Sequence, residues 1–596
     1  MKYSFYSNFL LTLTIIGSIQ YSNLRSQPVN ITYQSAASFG VNAQEQPQLS
    51  IPPDLPRAKN VILFIGDGMG AEHRKAAQWS QVGLSGILEM DNLSASGWLE
   101  THSADNPVTD SAAAATAMAT GEKTDNGIIG MDPSLDPLTT ILELARDHGK
   151  SVGLVTTTQI SHATPAGFAA HVQSRSQMTE IAEQMLNAGV HVLLGGGEDQ
   201  FLPSTETGCY PGFGERVDGK NLINQAVGAG YTYVCDSSAL AAVNPSATTH
   251  LLGLFADEGL TRPFSPTLAE MTQKAIDVLS QNPNGFFLMV ESGQIDWASH
   301  ANNAQDAIAD TVALNDAVKV ALDSTSEKTD TLVIITADHE TGGFSASTIS
   351  SGLPEEDGPF LMPDTRPFYI NWTTGGHTST DVPVTAIGPL AEELVGTHDN
   401  TFIYDLMLSA VCESGFFCTF RDVLPIHWAY AYIESITEDG IARGYPDSTY
   451  HPEDPVTRAE TAVFLLKGLD ITPPPVDNSH SFPDISGHWA EAYIEELNDQ
   501  NLSNGYLDNT FRPENPVTRA EIAVLLLNSL GIIPPAIDTS HPFIDIAGHW
   551  AEAYIEELYD QGMIGGYDDN TYRPESQVTR GEMAVFLVNA FGITLP

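Results

Sequence analysis

NVILFIGDG, residues 60–68, decides the fold. Val61 to Ile65 are apolar without alternation, which suits a strand buried on both faces rather than one at a surface. The run breaks at Gly-Asp-Gly, a turn signal that leaves Asp67 just beyond the strand. Three more runs of the same kind deliver reactive side chains. SVGLVTTTQISHATP (151–165) leads to His162 and Thr164, FFLMVESG (286–293) carries Glu291, and TLVIITADHE (331–340) ends on Asp338 and His339. Longer stretches with helical patterning separate these runs, so residues 57–410 read as an α/β domain with a doubly wound, mostly parallel sheet. In open sheets of this kind ligands collect beyond the carboxyl ends of the strands, so these distant residues are expected to meet at one edge.

What would meet there is a set of metal ligands. Asp296 and His300 lie four apart in ESGQIDWASHANN, a spacing that puts both on one helical face. Asp338 and His339 are adjacent, so both reach one site only if their strand has ended and the chain is turning. His377 stands in TTGGHTSTDVP, and Asp67 completes six candidates. Such His and carboxylate groups suit zinc, and paired ions can clamp the attacking and leaving oxygens of phosphoryl transfer. A nucleophile is also present. Ser111 follows Asp110 and opens the Ala-rich stretch SAAAATAMATG, a predicted helix whose N-terminus favours anions.

Composition bounds the rest. The chain has 596 residues and a formal net charge of −50, which argues against nucleic acid or an anionic membrane surface as a partner. The apolar run from Phe9 to Ile19 after Lys2 is too short to span a bilayer and suits an export signal. Residues 1–26 are therefore expected to be a signal peptide, and 27–56 a polar, Pro-rich leader. Cys209 with Cys235 and Cys412 with Cys418 are the expected disulfides, although four cysteines allow other pairings and free buried thiols. The segment from Gly195 to Ser265, rich in Gly, Pro and Thr, reads as a surface elaboration without an evident task.

After Asp422 the chain becomes a threefold repeat with a period of 61 residues, marked by Arg458, Arg519 and Arg580 in TRAE, TRAE and TRGE. The units are expected at 422–470, 484–530 and 545–592 and to be mainly helical. Trp489, Tyr493, Ile494 and Leu497 fall at helical spacing, which assigns the aromatic positions mainly to the core. Thr518 and Glu521 match a capping box ahead of an apolar helix. The arginine in that first turn has no such explanation, since the helix dipole disfavours a cation there.

In order, GDGMG, VTDSAAAATAMATG, SHATPAGFAAHVQSR, ESGQIDWASHANN, TADHETGGF and GGHTSTDVPV resemble the alkaline phosphatases over roughly residues 57–410. The resemblance implies two Zn2+ and one Mg2+. One zinc would be held by Asp296, His300 and His377, and the other by Asp67, Asp338 and His339 with the nucleophile Ser111. The magnesium would use Asp67, Thr164 and Glu291. Arg175 matches the arginine that grips phosphate. His162 and Trp297 stand where enterobacterial members have Asp and Lys, so His162 adds no carboxylate to the third site. The family's usual dimer would make this chain a homodimer. The repeats resemble S-layer homology domains, which attach proteins non-covalently to cell-wall polymers, with Arg458, Arg519 and Arg580 as the matching contacts. Together these imply a secreted, envelope-anchored phosphatase acting on small phosphomonoesters. A phosphodiesterase or sulfatase of the same superfold, or a wall-binding protein with an inactive α/β part, stays open at this point.

Overall fold

The computed structural model describes residues 57–595 apart from 326–328, 412–418, 421, 446–448, 477–480, 504, 537–541 and 568. The expected signal peptide, leader and Cys412–Cys418 pairing lie outside the described residues. Eight strands carry the argument: β1 (Asn60–Gly66), β2 (Ala95–Glu100), β3 (Ser151–Gln159), β4 (Val192–Gly196), β5 (Thr232–Val234), β6 (Leu251–Leu254), β7 (Phe286–Ser292) and β8 (Thr331–Thr336). With Val382–Ile387 and Gly396–Asp399 they form one sheet of ten strands, in the order Gly396–Asp399, β2, Val382–Ile387, β8, β1, β7, β3, β4, β6, β5. Neighbours run parallel except at Val382–Ile387, which is antiparallel to both β2 and β8.

Every residue of β1, β3, β7 and β8 is buried, as their unbroken apolar runs require. Helices Leu268–Leu279 and Ala304–Thr325 pack together and against these strands. Helix Ser111–Thr120 is buried along its whole length and packs on helix Ala163–Ala169. Its alanines allow that approach: a Cβ on Gly167 would stand 2.8 Å from the Ala115 Cβ. Asp67, Glu291, Asp338 and His339 all lie at the carboxyl ends of adjacent parallel strands β1, β7 and β8.

The segment from Gly195 to Ser265 is more than a surface elaboration, because β5 and β6 within it extend the main sheet at its edge. The three-residue β5 is too short to show a period in sequence. The Cys209–Cys235 disulfide in this segment forms as expected, with Cα atoms 6.4 Å apart.

The repeats have a hydrophobic cluster of their own, distinct from that of the α/β part. Each repeat contributes a capped helix, Arg458–Gly468, Arg519–Leu530 or Arg580–Phe591, preceded by a Thr-Glu capping box. One expectation needs correction. Trp489 is 62 % exposed, and its counterparts Trp428 and Trp550 are also exposed, because each lies ahead of its helix where helical spacing does not apply. Only Ile494 and Leu497 of that set are core. The repeat arginines lie at the seams between repeats. All three are buried, and each reaches into the next repeat: Arg458 to Glu521 (3.0 Å), Arg519 to Glu582 (2.7 Å) and Arg580 back to Glu460 (2.6 Å). The guanidinium also donates to a carbonyl there, of Phe511, Tyr572 or Tyr450, and stacks on that same ring. The capping-box glutamate thus has two jobs, one oxygen on its own helix N-terminus and the other on the neighbouring arginine.

Candidate metal centre

Three groups of ligand-type side chains meet at the carboxyl edge of the sheet. Asp296, His300 and His377 form the first, Asp67, Asp338 and His339 the second, and Asp67, His162 and Glu291 the third; within each group the ligand atoms lie within 4.8 Å of one another. The local structure explains the convergence. Gly68 turns the chain after β1 with φ +74°, and its N–H donates to Asp338 Oδ1 at 3.0 Å. β8 has ended at Thr336, so Asp338 and His339 escape strand alternation and reach the same site. Helix Gln294–His300 puts Asp296 and His300 on one face, with His300 Nε2 3.3 Å from Asp296 Oδ2.

The first group opens to solvent and the second does not. His300 keeps 41 % of its side chain exposed, whereas Asp67, Asp338 and His339 are fully buried. In the first group both rings are oriented from behind: His300 Nδ1 meets the Gly375 carbonyl at 2.7 Å, and His377 Nδ1 meets the Thr109 carbonyl at 2.9 Å. That directs both Nε2 atoms at one point, 3.2 Å apart. The hydrogen bond to Asp296 holds His300 up at about 9. Burial pushes the Asp296 carboxyl upward, but the hydrogen bonds from His300 and His377 outweigh it and keep it well below the usual range.

The second and third groups are short of positive charge. Burial and then the neighbouring carboxylates of Asp338, Asp296 and Glu291 push Asp67 well above its ordinary value. Burial also raises Glu291 to about 7, although Thr156 and Thr158 donate to its Oε2. Five buried polar atoms here have no hydrogen-bond partner: Asp67 Oδ1, Asp338 Oδ2, Glu291 Oε1, Thr164 Oγ1 and His162 Nδ1. Orphaned buried acceptors beside unneutralised acids are costly. Divalent cations would satisfy them, so the donor set fits metal ions.

Ser111 is the first residue of its helix, and its Oγ lies 3.5 Å from Asp67 Oδ2 and 3.4 Å from His339 Nε2. Arg175 is anchored beside it, donating to Asp110 Oδ2 at 2.9 Å and to His162 Nε2 at 3.3 Å. All nine expected metal-site residues, with Ser111 and Arg175, are therefore at this edge. Sequence reasoning gave no role to Asp110, which also caps the Ser111 helix through the N–H of Ala113 and accepts from Gly127. It also missed Thr341, whose hydroxyl donates to Asp296 at 2.6 Å and contacts His339 Nδ1 at 3.3 Å. Their nearness in sequence to Ser111 and His339 was the one available signal.

The profile of the family described as alkaline phosphatase matches residues 58–357. This chain belongs to the alkaline phosphatase family. Alkaline phosphatase 3 of Bacillus subtilis is 34 % identical over 469 residues, which cover 66 % of this chain and 95 % of that protein. The streptomycin-6-phosphate phosphatase of Streptomyces griseus is 36 % identical, covering 59 % of this chain and 90 % of the relative. The solved alkaline phosphatase from the Antarctic bacterium TAB5 is 32 % identical with a TM-score of 0.51, over 60 % of this chain and 98 % of that one. A TAB5 variant with aspartate in place of a histidine was solved with magnesium bound in a site named M3. The S-layer homology domain profile matches residues 419–462, 481–523 and 542–584, which marks the enzyme for anchoring at the cell envelope. Among the described residues no helix is long and apolar enough to cross a membrane.

Proposed function

We propose that this chain is an exported alkaline phosphatase, tethered at the cell surface, that hydrolyses phosphate monoesters to inorganic phosphate through a phosphoserine on Ser111. The observation that carries this reading is the placing of the Ser111 hydroxyl at a helix N-terminus, within 3.5 Å of both Asp67 and His339, amid orphaned buried acceptors. Asp296, His300 and His377 would hold one zinc ion, Asp67, Asp338 and His339 a second, and Asp67, Thr164 and Glu291 a magnesium ion. Such ions, when bound, lower the pKa of a coordinated oxygen and offset the charge of the phosphoryl group.

Ser111 Oγ gives up its proton to solvent and attacks phosphorus in line, the ester P–O bond breaks with its electron pair going to the leaving oxygen, and the departing alkoxide takes up a proton from water. A water oxygen then attacks phosphorus from the side the alcohol left and sheds a proton, and Ser111 Oγ leaves with the electron pair of the P–O bond and takes up a proton to restore its hydroxyl. The solvent-facing position of His300 supports exit of the alcohol on that side, and the full burial of Asp67 and His339 supports a fixed serine. Each Nη of Arg175 uses one hydrogen on Asp110 or His162 and keeps a second for phosphate oxygens. The helix N-terminus of Ser111 adds its own attraction for the anion. These groups address the phosphoryl group and leave the alcohol free to vary, so broad monoester use follows.

His162 sets the third ion apart. Burial, and then Arg175, lower it to about 3, so the ring is neutral and has one lone pair. That lone pair faces Arg175 at Nε2, and ligation through Nδ1 would need another. With that lone pair on Arg175, His162 brings neither a charge nor a ligand atom to the third site, so the magnesium would rest on Asp67, Thr164 and Glu291 and be the most weakly held of the three ions. Turnover of a chromogenic monoester should exceed that of the matching diester by orders of magnitude in the metal-loaded enzyme; a preference for the diester would overturn the monoesterase assignment.

The S-layer homology repeats would bind a wall polysaccharide or a peptidoglycan-linked polymer. With Arg458, Arg519 and Arg580 committed to the seams between repeats, any contact they make with a polymer would share their guanidinium with Glu521, Glu582 and Glu460. Removal of residues 422–596 should free the enzyme from envelope fractions while turnover persists; retention of the shortened enzyme would refute the anchor.

A further inference from the structure

A second collection of acids lies in the disulfide-bearing segment, outside the centre described above. Asp199 sits on the short turn Glu198–Phe201 after β4, Glu215 in the following loop, and Glu258 in the loop after β6. One carboxylate oxygen from each lies within 4.8 Å of the others. Ligands of one calcium ion, each about 2.4 Å from it, can be up to about 5 Å apart, so the three can share an ion.

Two further oxygens are unsatisfied at the same place. Gln159, the last residue of β3, is only 8 % exposed; its Nε2 donates to Glu258 Oε2 at 2.5 Å, yet its Oε1 has no hydrogen-bond partner. Asp257 accepts from the Gly212 N–H through Oδ2 at 2.9 Å, while its buried Oδ1 has no partner. Among the described residues no lysine, arginine or histidine forms an ion pair with Asp199, Glu215, Asp257 or Glu258. Glu198, one residue from Asp199, shows the ordinary alternative. It is fully buried and accepts from the Cys209 and Tyr210 N–H groups and the Tyr233 hydroxyl, at 2.8, 3.0 and 2.6 Å. Burial, then Glu215 and Glu258, push Asp199 up to about 7, as expected where acids crowd without a cation.

We propose that Asp199, Glu215, Glu258 and the side-chain oxygen of Gln159 bind a divalent cation, with calcium favoured because every donor is oxygen. The ion would tie three segments together behind the metal centre. Gln159 is three residues before His162, the Leu260 N–H bonds to the Thr157 carbonyl of β3, and Gly259 packs directly under Trp297. Trp297 in turn meets His162 edge-on, with ring centres 5.9 Å apart. Its role is that of a brace on the wall carrying His162 and not of a participant in the reaction.

The test uses the full chain with its zinc and magnesium retained, titrated with calcium chloride beside an E215Q/E258Q double variant. Both glutamates are exposed and the changes are isosteric, and unchanged monoester turnover will confirm that the variant is folded. The parent should bind one more calcium ion per chain than the variant, and calcium should raise the unfolding temperature of the parent alone. Loss of each carboxylate should weaken binding on the order of tenfold. A Gln159→Leu variant, which keeps all the acids, should weaken binding without abolishing it. Equal calcium uptake by parent and double variant, or none by either, would overturn the proposal.

Discussion

The α/β part and the repeat part both bury charged side chains, and they treat them in opposite ways. In the repeats each buried arginine meets a glutamate, a backbone carbonyl and an aromatic face, and the pairs run in a closed circuit from Arg458 to Glu521, Arg519 to Glu582 and Arg580 to Glu460. At the sheet edge Asp67, Asp338 and Glu291 are buried together with acceptors left open. A satisfied buried ion pair is a structural device, whereas unsatisfied buried acids that converge are a site. The same residue types therefore serve stability in one region and chemistry in the other.

The contrast can be broken first at its most reactive point. Ser111→Ala should lower kcat for a phosphomonoester by about three orders of magnitude or more, without changing thermal unfolding or envelope retention. Steady-state rates with a melting curve would check it, and near-normal turnover would remove Ser111 from the nucleophile role. Next comes the circuit in the repeats. Arg519→Met leaves Glu582 half-buried without its cation and should cost the repeat module about 3–5 kcal/mol, read from its denaturant midpoint, with turnover unaffected. Changing both partners, Arg519→Met with Glu582→Leu, should recover much of that loss.

At the sheet edge the sign should reverse. In the metal-free protein Asp67→Asn removes one of several crowded buried acids, so it should raise the melting temperature while abolishing metal-restored turnover. A fall in the metal-free melting temperature would mean that Asp67 is structurally paired after all. The smallest effect concerns an ordinary pair, His171 with Glu143 at 3.1 Å. The hydrogen bond to Glu143 raises His171 above 6.5, so its contribution is full below 6.5 and is lost as pH rises through the folded value. Burial pulls Glu143 upward, but His171 and the Thr140 N–H win and hold it below 4.5, so its contribution is lost only as pH falls through that lower value. The pair should stabilise most between about 4.5 and 6.5, by at most ~1 kcal/mol, and His171→Gln should flatten the pH dependence of stability there.

The centre was legible in sequence because its ligands end apolar strands. NVILFIGDG and TLVIITADHE place Asp67, Asp338 and His339 through strand length and turn signals alone, and DWASH places two ligands through helical spacing. The roles of Asp110 and Thr341 were not legible, since they depend on contacts with Arg175 and Asp296, 65 and 45 residues away. Trp489 was misplaced because a helical period was extended past the start of its helix. The partner of Arg519 was not legible either, since Glu582 lies 63 residues on, where only the closed arrangement of repeats brings it near. The four-residue β6 and three-residue β5 carry too few positions to display a period.

The decisive property of the sheet-edge centre is its dependence on metal. Zinc and magnesium per chain would be counted, and monoester turnover measured, before chelation, after it, and after each ion is restored. Turnover should disappear with the bound metal and return with zinc, magnesium adding a further increment. Undiminished turnover in protein shown to be free of metal would contradict that dependence.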